Sequence, residues 1–194
     1  MNLSDLQKPK IGYITLTDSP RALAMVEERE RVITEKHKNF KKFLIASEIE
    51  VTDAADFIPR KEGWVSFYSS DDIQKAVDLF LQNHIEALVI GCWHWTEPMF
   101  VVELARALNK PILLYSDEDP AWAATCILSA GGASLWETSP NRAAQVHERI
   151  YGDRSAVLEW IRGVCALEKM KKSTVILFCF KINQIKNAMQ HLLK

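Results

Sequence analysis

Charge of one sign is what this chain lacks first: 24 Lys and Arg stand against 25 Asp and Glu in 194 residues. That balance predicts neither a nucleic-acid footprint nor a patch for an acidic membrane surface. Glycine and proline are scarce, seven of each, and 48% of residues are hydrophobic, which excludes a disordered or low-complexity chain. The cysteines Cys92, Cys126, Cys165 and Cys179 have no CxxC spacing and sit in apolar segments. They read as reduced, buried thiols of a cytoplasmic protein. No apolar run approaches the length that spans a bilayer, and the first ten residues hold no apolar signal region. Neither GxGxxG nor a P-loop GxxxxGK occurs, so dinucleotide and P-loop readings fall away.

What is present is a strand–helix rhythm. Lys10-Ile-Gly-Tyr-Ile-Thr-Leu-Thr17 reads as a first strand, and Asp18-Ser-Pro-Arg21 as a turn and helix start. A long helix follows over Ala22 to Ser47, its apolar stripe set by Leu23, Val26, Ile33, Phe40 and Leu44. Its 26 residues would measure about 39 Å, more than the sheet needs, so one end could reach toward a partner. The charged run at 27–31 reads as a solvated face. Glu48 to Thr52 is a second strand, residues 53–70 a long irregular link with Pro59, Gly63 and Trp64, and Asp71 to Asn83 an amphipathic helix. Helices are further expected over Glu97 to Asn109, Ala121 to Ser129, Pro140 to Tyr151 and Arg154 to Leu167. Pro111 to Tyr115 reads as a fourth strand, Ala133 to Trp136 as a fifth, and Lys169–Lys172 as a basic hinge.

The rhythm predicts an α/β, doubly wound parallel sheet, a flavodoxin-like three-layer sandwich with five strands in the order 2-1-3-4-5. A C-terminal extension follows, an apolar strand over Thr174 to Phe180 and an amphipathic helix over Lys181 to Lys194. The apolar strand is expected to join the sheet edge or a second copy, which predicts a dimer.

The chain is organised around Glu86-Ala-Leu-Val-Ile-Gly-Cys-Trp-His-Trp-Thr-Glu97. Ala87 to Ile90 is the pattern of a strand buried on both faces. Trp93, His94 and Trp95 leave its carboxyl end, where open α/β sheets bind ligands. Thr96 is placed to cap the helix that Pro98 opens. Tryptophans at a strand end can simply be the lid of a core. Three successive rings alternate faces, however, so at least one is expected outside, where an indole offers a stacking face to a sugar. Asp117, Glu118 and Asp119 lie at the next strand's end, as solvated caps or as ligands of a hard metal. The histidines at 37, 84, 94, 147 and 191 show no ligand spacing, and no Ser-His-Asp or Cys-His order stands out. A flavodoxin-type loop at 17–21 could instead hold an FMN phosphate through hydroxyls and backbone N–H groups.

The series Lys10-Ile-Gly-Tyr-Ile, Arg21, Glu27-Glu-Arg-Glu, Gly91-Cys-Trp-His-Trp, Pro111-Ile-Leu-Leu-Tyr-Ser and Ala130-Gly-Gly-Ala resembles the amino-terminal domain of the L-fucose isomerase and L-arabinose isomerase superfamily. It is closest to the fucose-isomerase-like branch. The likeness covers about residues 8–176, and it implies a domain over 8–168 with 169–194 as a hinge and divergent tail. In that family an aldose and a ketose interconvert through an enediol, with a divalent metal, typically manganese, bridging two sugar oxygens. The metal ligands lie in later domains, and the amino-terminal domain helps close the active site of a neighbouring subunit.

Carried over, Arg21 and Trp93 would contact the far end of the sugar, Arg21 through its donor fork and Trp93 through a stacking face. His94, Trp95 and Asp117 are placed beside them by position. The resemblance thus implies a pentose or 6-deoxyhexose ligand, a homo-oligomer, no nucleic-acid or membrane partner, and no metal in this chain. The glycine turn that leads into the family's second domain is missing after Phe178, so a truncated relative, inactive alone, is expected. The rival expectation is a stand-alone flavodoxin-like module for a nucleotide or flavin.

Overall fold

The computed structural model describes residues 8–19, 23–61, 63–117, 124–138 and 147–171. The element order is β1 (Lys10–Leu16), α1 (Leu23–Ala46), β2 (Glu50–Asp53), α2 (Ala54–Phe57), β3 (Ser66–Phe67) and α3 (Ser70–Gln82). β4 (Ala87–Gly91), α4 (Pro98–Leu108), β5 (Ile112–Ser116), α5 (Ala124–Thr138), β6 (Glu148–Tyr151) and α6 (Arg154–Lys171) follow. Every strand pairing is parallel, in the order β2-β1-β4-β5-β6, with β3 pairing the far end of β1. The fold is therefore the expected flavodoxin-like α/β sandwich. Its five long strands keep the 2-1-3-4-5 arrangement, and the two-residue β3 is added beyond the end of β2.

Strand alternation divides the core in two. Ile11, Tyr13, Ala87, Val89, Leu113 and Tyr115 face Ile33, Phe40 and Leu44 of α1 and Val157, Ile161 and Val164 of α6. Ile14, Leu16, Leu88, Ile90, Ile112 and Leu114 face α3, α4 and α5 through residues such as Phe80, Leu104 and Leu135. Both faces are covered, which is why these strands read as unbroken apolar runs.

Several local expectations are corrected. Ala133 to Trp136 is not a strand but the last third of α5, and the fifth long strand is Glu148–Tyr151. Gly131 and Gly132 do not close a helix. They are buried inside it, and a Cβ on Gly132 would collide with the Arg149 side chain of β6. The link at 53–70 is not irregular throughout, since it contains α2 and β3. Ser69 caps α3, accepting from the Asp72 N–H at 3.2 Å, one residue before the expected caps. Thr96 caps nothing: its hydroxyl donates to the Thr17 carbonyl at 3.0 Å, and α4 begins at Pro98 without a side-chain cap. The basic stretch is no hinge as far as Lys171, because α6 runs through Lys169–Lys171. The tail strand and helix over 174–194 lie outside the described residues.

Candidate functional site

Because the chain passes from β1 outward to β2 and returns to β4 on the other side, the strand order reverses between β1 and β4. Ligand crevices of open α/β sheets form outside the carboxyl ends at such a point. Two loops meet there. The Asp18 N–H donates to the Trp95 carbonyl at 3.0 Å, the Thr96 hydroxyl to the Thr17 carbonyl at 3.0 Å, and the Thr17 N–H to the Phe67 carbonyl at 2.9 Å. The loops after β1 and β4 are thereby stitched edge to edge.

His94 sits on this seam. Its Nδ1 lies 3.0 Å from the Trp95 carbonyl, which can only accept, so Nδ1 carries the proton. The same nitrogen is 3.4 Å from Asp18 Oδ1. Burial pushes the His94 pKa below its ordinary value, with a smaller contribution in the same direction from the Arg29 charge, while its bond to the Trp95 carbonyl and the Asp18 charge oppose the shift. Behind Asp18, the Arg29 guanidinium donates to Asp18 Oδ1 at 2.8 Å and to Glu30 Oε1 at 3.3 Å. Both Glu30 oxygens are 2.7 Å from the Ser66 hydroxyl of β3. Arg29 is 6% and Glu30 1% exposed, so the charged run at 27–31 is a solvated face only at Glu27, Glu28 and Arg31. The buried Arg29 Nε has no acceptor among the described residues.

A second polar group lies along α1 toward β2. His37 Nδ1 is 2.8 Å from the Thr15 hydroxyl and its Nε2 is 2.8 Å from Asp53 Oδ2. Asp53 Oδ2 also takes Lys41 Nζ at 2.8 Å, and Asp53 Oδ1 caps α2 through the Ala55 N–H at 3.0 Å. Burial alone would raise the Asp53 pKa, but the bonds and charges of His37 and Lys41 outweigh it and hold the carboxyl below its ordinary range. Hydroxyl, imidazole and carboxylate in line resemble a nucleophile with its base and orienting acid. All three residues are buried, however, and no substrate carbonyl can meet the Thr15 oxygen. This is a satisfied internal network, not a catalytic triad.

The residues expected to touch a ligand are sorted by these contacts. Trp93 is 2% exposed and packs edge-on against Phe40 and Tyr115, with ring centroids 5.7 Å apart in each case. It is a core residue and presents no stacking face. Gly91 makes this possible, since a Cβ there would lie 2.6 Å from Trp93 Nε1. Trp95 and His94 are half-buried on the seam, so of the three successive rings two keep some exposure. Asp117 does not join them; Lys36 Nζ of α1 holds its two oxygens at 2.9 Å each. Arg21, Glu118 and Asp119 lie outside the described residues.

Neither a protein-family model nor a curated protein sequence matches this chain. Among the described residues, no group of three or more His, Cys, Asp and Glu side chains is placed to hold a metal ion. No described helix is long and apolar enough to cross a membrane. Cys92 and Cys165 are buried free thiols, each pushed up to about 12 chiefly by burial, and neither is a nucleophile at neutral pH.

Arg29, Glu30 and His37 escaped the sequence reading, although a signal for them existed. Val26, Glu30, Ile33, His37, Phe40 and Leu44 recur at spacings of four and three, so the apolar stripe of α1 passes straight through the two polar residues.

Proposed function

We propose that this chain is a carbohydrate-binding, subunit-contact domain of the fucose-isomerase-like kind, which receives one end of a pentose or 6-deoxyhexose at the seam between the loops after β1 and β4. The observation that carries the reading is the Asp18 N–H to Trp95 carbonyl bond of 3.0 Å. It brings the loop that leads to Arg21 against the Trp93–Thr96 loop, the two segments on which the resemblance puts the sugar contacts. The half-buried Trp95 offers the indole in place of Trp93, and Asp18 offers acceptors beside it. A stacking ring with neighbouring donors and acceptors suits a ring that is apolar on its face and hydroxylated at its rim. Met99, exposed in the first turn of α4, supplies an apolar rim for a neighbouring subunit.

Titration with L-fucose and L-arabinose, followed by calorimetry and by the indole N–H resonance of Trp95, tests this reading. Saturable binding of either sugar that Trp95→Ala weakens by at least about tenfold is the expected result. Absence of binding at millimolar sugar, or a flavin or nucleotide that remains with the purified protein, would overturn it.

A further inference from the structure

Residues of α1, of β2 and α2, and of the stretch before β3 border a partly open cavity of about 210 Å³ whose lining shares no residue with the seam at 17–18 and 93–96. The His37–Asp53 pair forms its floor, Lys41 and Asp56 flank it, and Trp64 and Lys38 border its mouth. Gly63 is tied to α1: the Thr34 hydroxyl donates to its carbonyl at 2.9 Å, and it turns the chain with φ of 80°. The Lys61 ammonium stands 4.7 Å over the Trp64 ring, yet Lys61 does not border the cavity.

The polar groups here divide into spent and unspent. Lys41 uses its three protons on Asp53 Oδ2 at 2.8 Å and on the two Asp56 oxygens at 2.7 and 2.6 Å. The exposed Lys38 ammonium and the Trp64 indole N–H have no hydrogen-bond partner among the described residues, whereas the Trp64 backbone N–H donates to the Lys61 carbonyl at 2.9 Å. Asp56, more than half exposed, keeps acceptor capacity beyond the two bonds from Lys41. Lys38 and Lys41 cancel Asp53 and Asp56, so the lining has no net charge to offer a dianion or a metal cation. Each unspent charge still gains from an opposite partner.

The geometry points to a binding site for a small zwitterionic amino acid, its carboxylate on Lys38 and the Trp64 indole N–H, its ammonium on Asp56, and its side chain against the Trp64 ring. The volume agrees, since it falls below the range of drug-sized ligand pockets. None of the residues at 93–96 takes part, so this site stands independently of the carbohydrate reading.

The test titrates the full chain with L-leucine, leucinamide and N-acetyl-leucine while following the Trp64 indole N–H and Gly63 amide resonances. Saturable shifts with leucine are expected. Leucinamide, without the carboxylate, and N-acetyl-leucine, without the ammonium, bind at least about tenfold more weakly. Lys38→Ala, an exposed change that leaves the melting temperature in place, weakens leucine by the same factor, as does Trp64→Ala. Trp95→Ala leaves leucine binding intact, which separates this site from the sugar seam. The proposal is overturned if leucine leaves these resonances unmoved at millimolar concentration. It is equally overturned if either derivative binds as well as leucine, or if glucose or inorganic phosphate produces the same shifts.

Discussion

His37 Nε2 and Asp53 Oδ2 lie 2.8 Å apart, and each side chain is 1% exposed. Asp53 also takes Lys41 and caps α2, so a single carboxylate ties α1, β2 and α2 together. With Asp53 ionised, its partner nitrogen Nε2 donates, and the ring is stacked on Tyr13 at a centroid distance of 4.4 Å. His37→Ala removes this packing and leaves a buried carboxylate short of a donor. The expected loss is about 3 kcal/mol, read as a lower urea midpoint at unchanged slope. Lys41→Ala costs only about 1 kcal/mol, because Lys41 keeps contact with solvent and its pairing is screened there. Equal losses for the two variants would contradict this division.

Glu30 is the second buried hub. Glu30→Gln keeps the volume but withdraws the charge that faces Arg29, and a buried cation then retains only the partly exposed Asp18. Loss of one partner of a buried pair costs about 3–5 kcal/mol, whereas Ser66→Ala, which removes a neutral hydroxyl from the same carboxylate, costs about 1–2 kcal/mol. Chemical denaturation of the two variants and their double mutant gives the coupling directly.

The sheet was readable because its strands are covered on both faces: Ala87 to Ile90 and Ile112 to Tyr115 have no polar residue to blur them. Edge strand β6 was not, since in Glu148-Arg-Ile-Tyr151 only Ile150 is buried and nothing distinguishes it from a helix end. Ala133 to Trp136 erred the other way, a short apolar run just after Gly132, which serves a close approach inside a helix. The seam was half readable. Position at a strand end is a property of sequence order, but which way an indole turns depends on Gly91 leaving space beneath β4. The polar hubs on α1 were hidden by their charge, because a solvated run and a buried ion pair are spelled with the same letters.

The acid limb of stability follows from three groups. Burial depresses the pKa values of His94 and His147, while the unfolded chain takes up both protons near pH 6.5. The unfolded state then binds more protons, so stability is full above about pH 6.5 and declines as pH falls through the depressed folded values. Asp53 adds a later decline. Its folded value is also depressed, so its contribution is present above about pH 3.9 and is lost as pH falls through the folded pKa. Melting temperatures measured from pH 8 to pH 3 should therefore fall in two stages, and His94→Gln should flatten the first. A melting temperature constant down to pH 5 would remove the histidine assignment.

The two tryptophans of one loop should respond in opposite ways. Trp93 is enclosed by Phe40, Tyr115 and Gly91, so Trp93→Ala empties a large volume of the core and is expected to cost about 3–5 kcal/mol. Trp95 is half-buried, and its bond to Asp18 across the seam is made by its carbonyl, which survives substitution of the ring. Trp95→Ala is thus expected to cost about 1 kcal/mol or less, while the sugar affinity falls at least about tenfold. Chemical denaturation and calorimetry on the same two variants separate fold from site. If Trp93→Ala folds with undiminished stability, the indole is not the core element its 2% exposure makes it. If Trp95→Ala binds fucose and arabinose as the parent chain does, the ligand is not stacked on the seam, and the loop contact between Asp18 and Trp95 serves the fold alone.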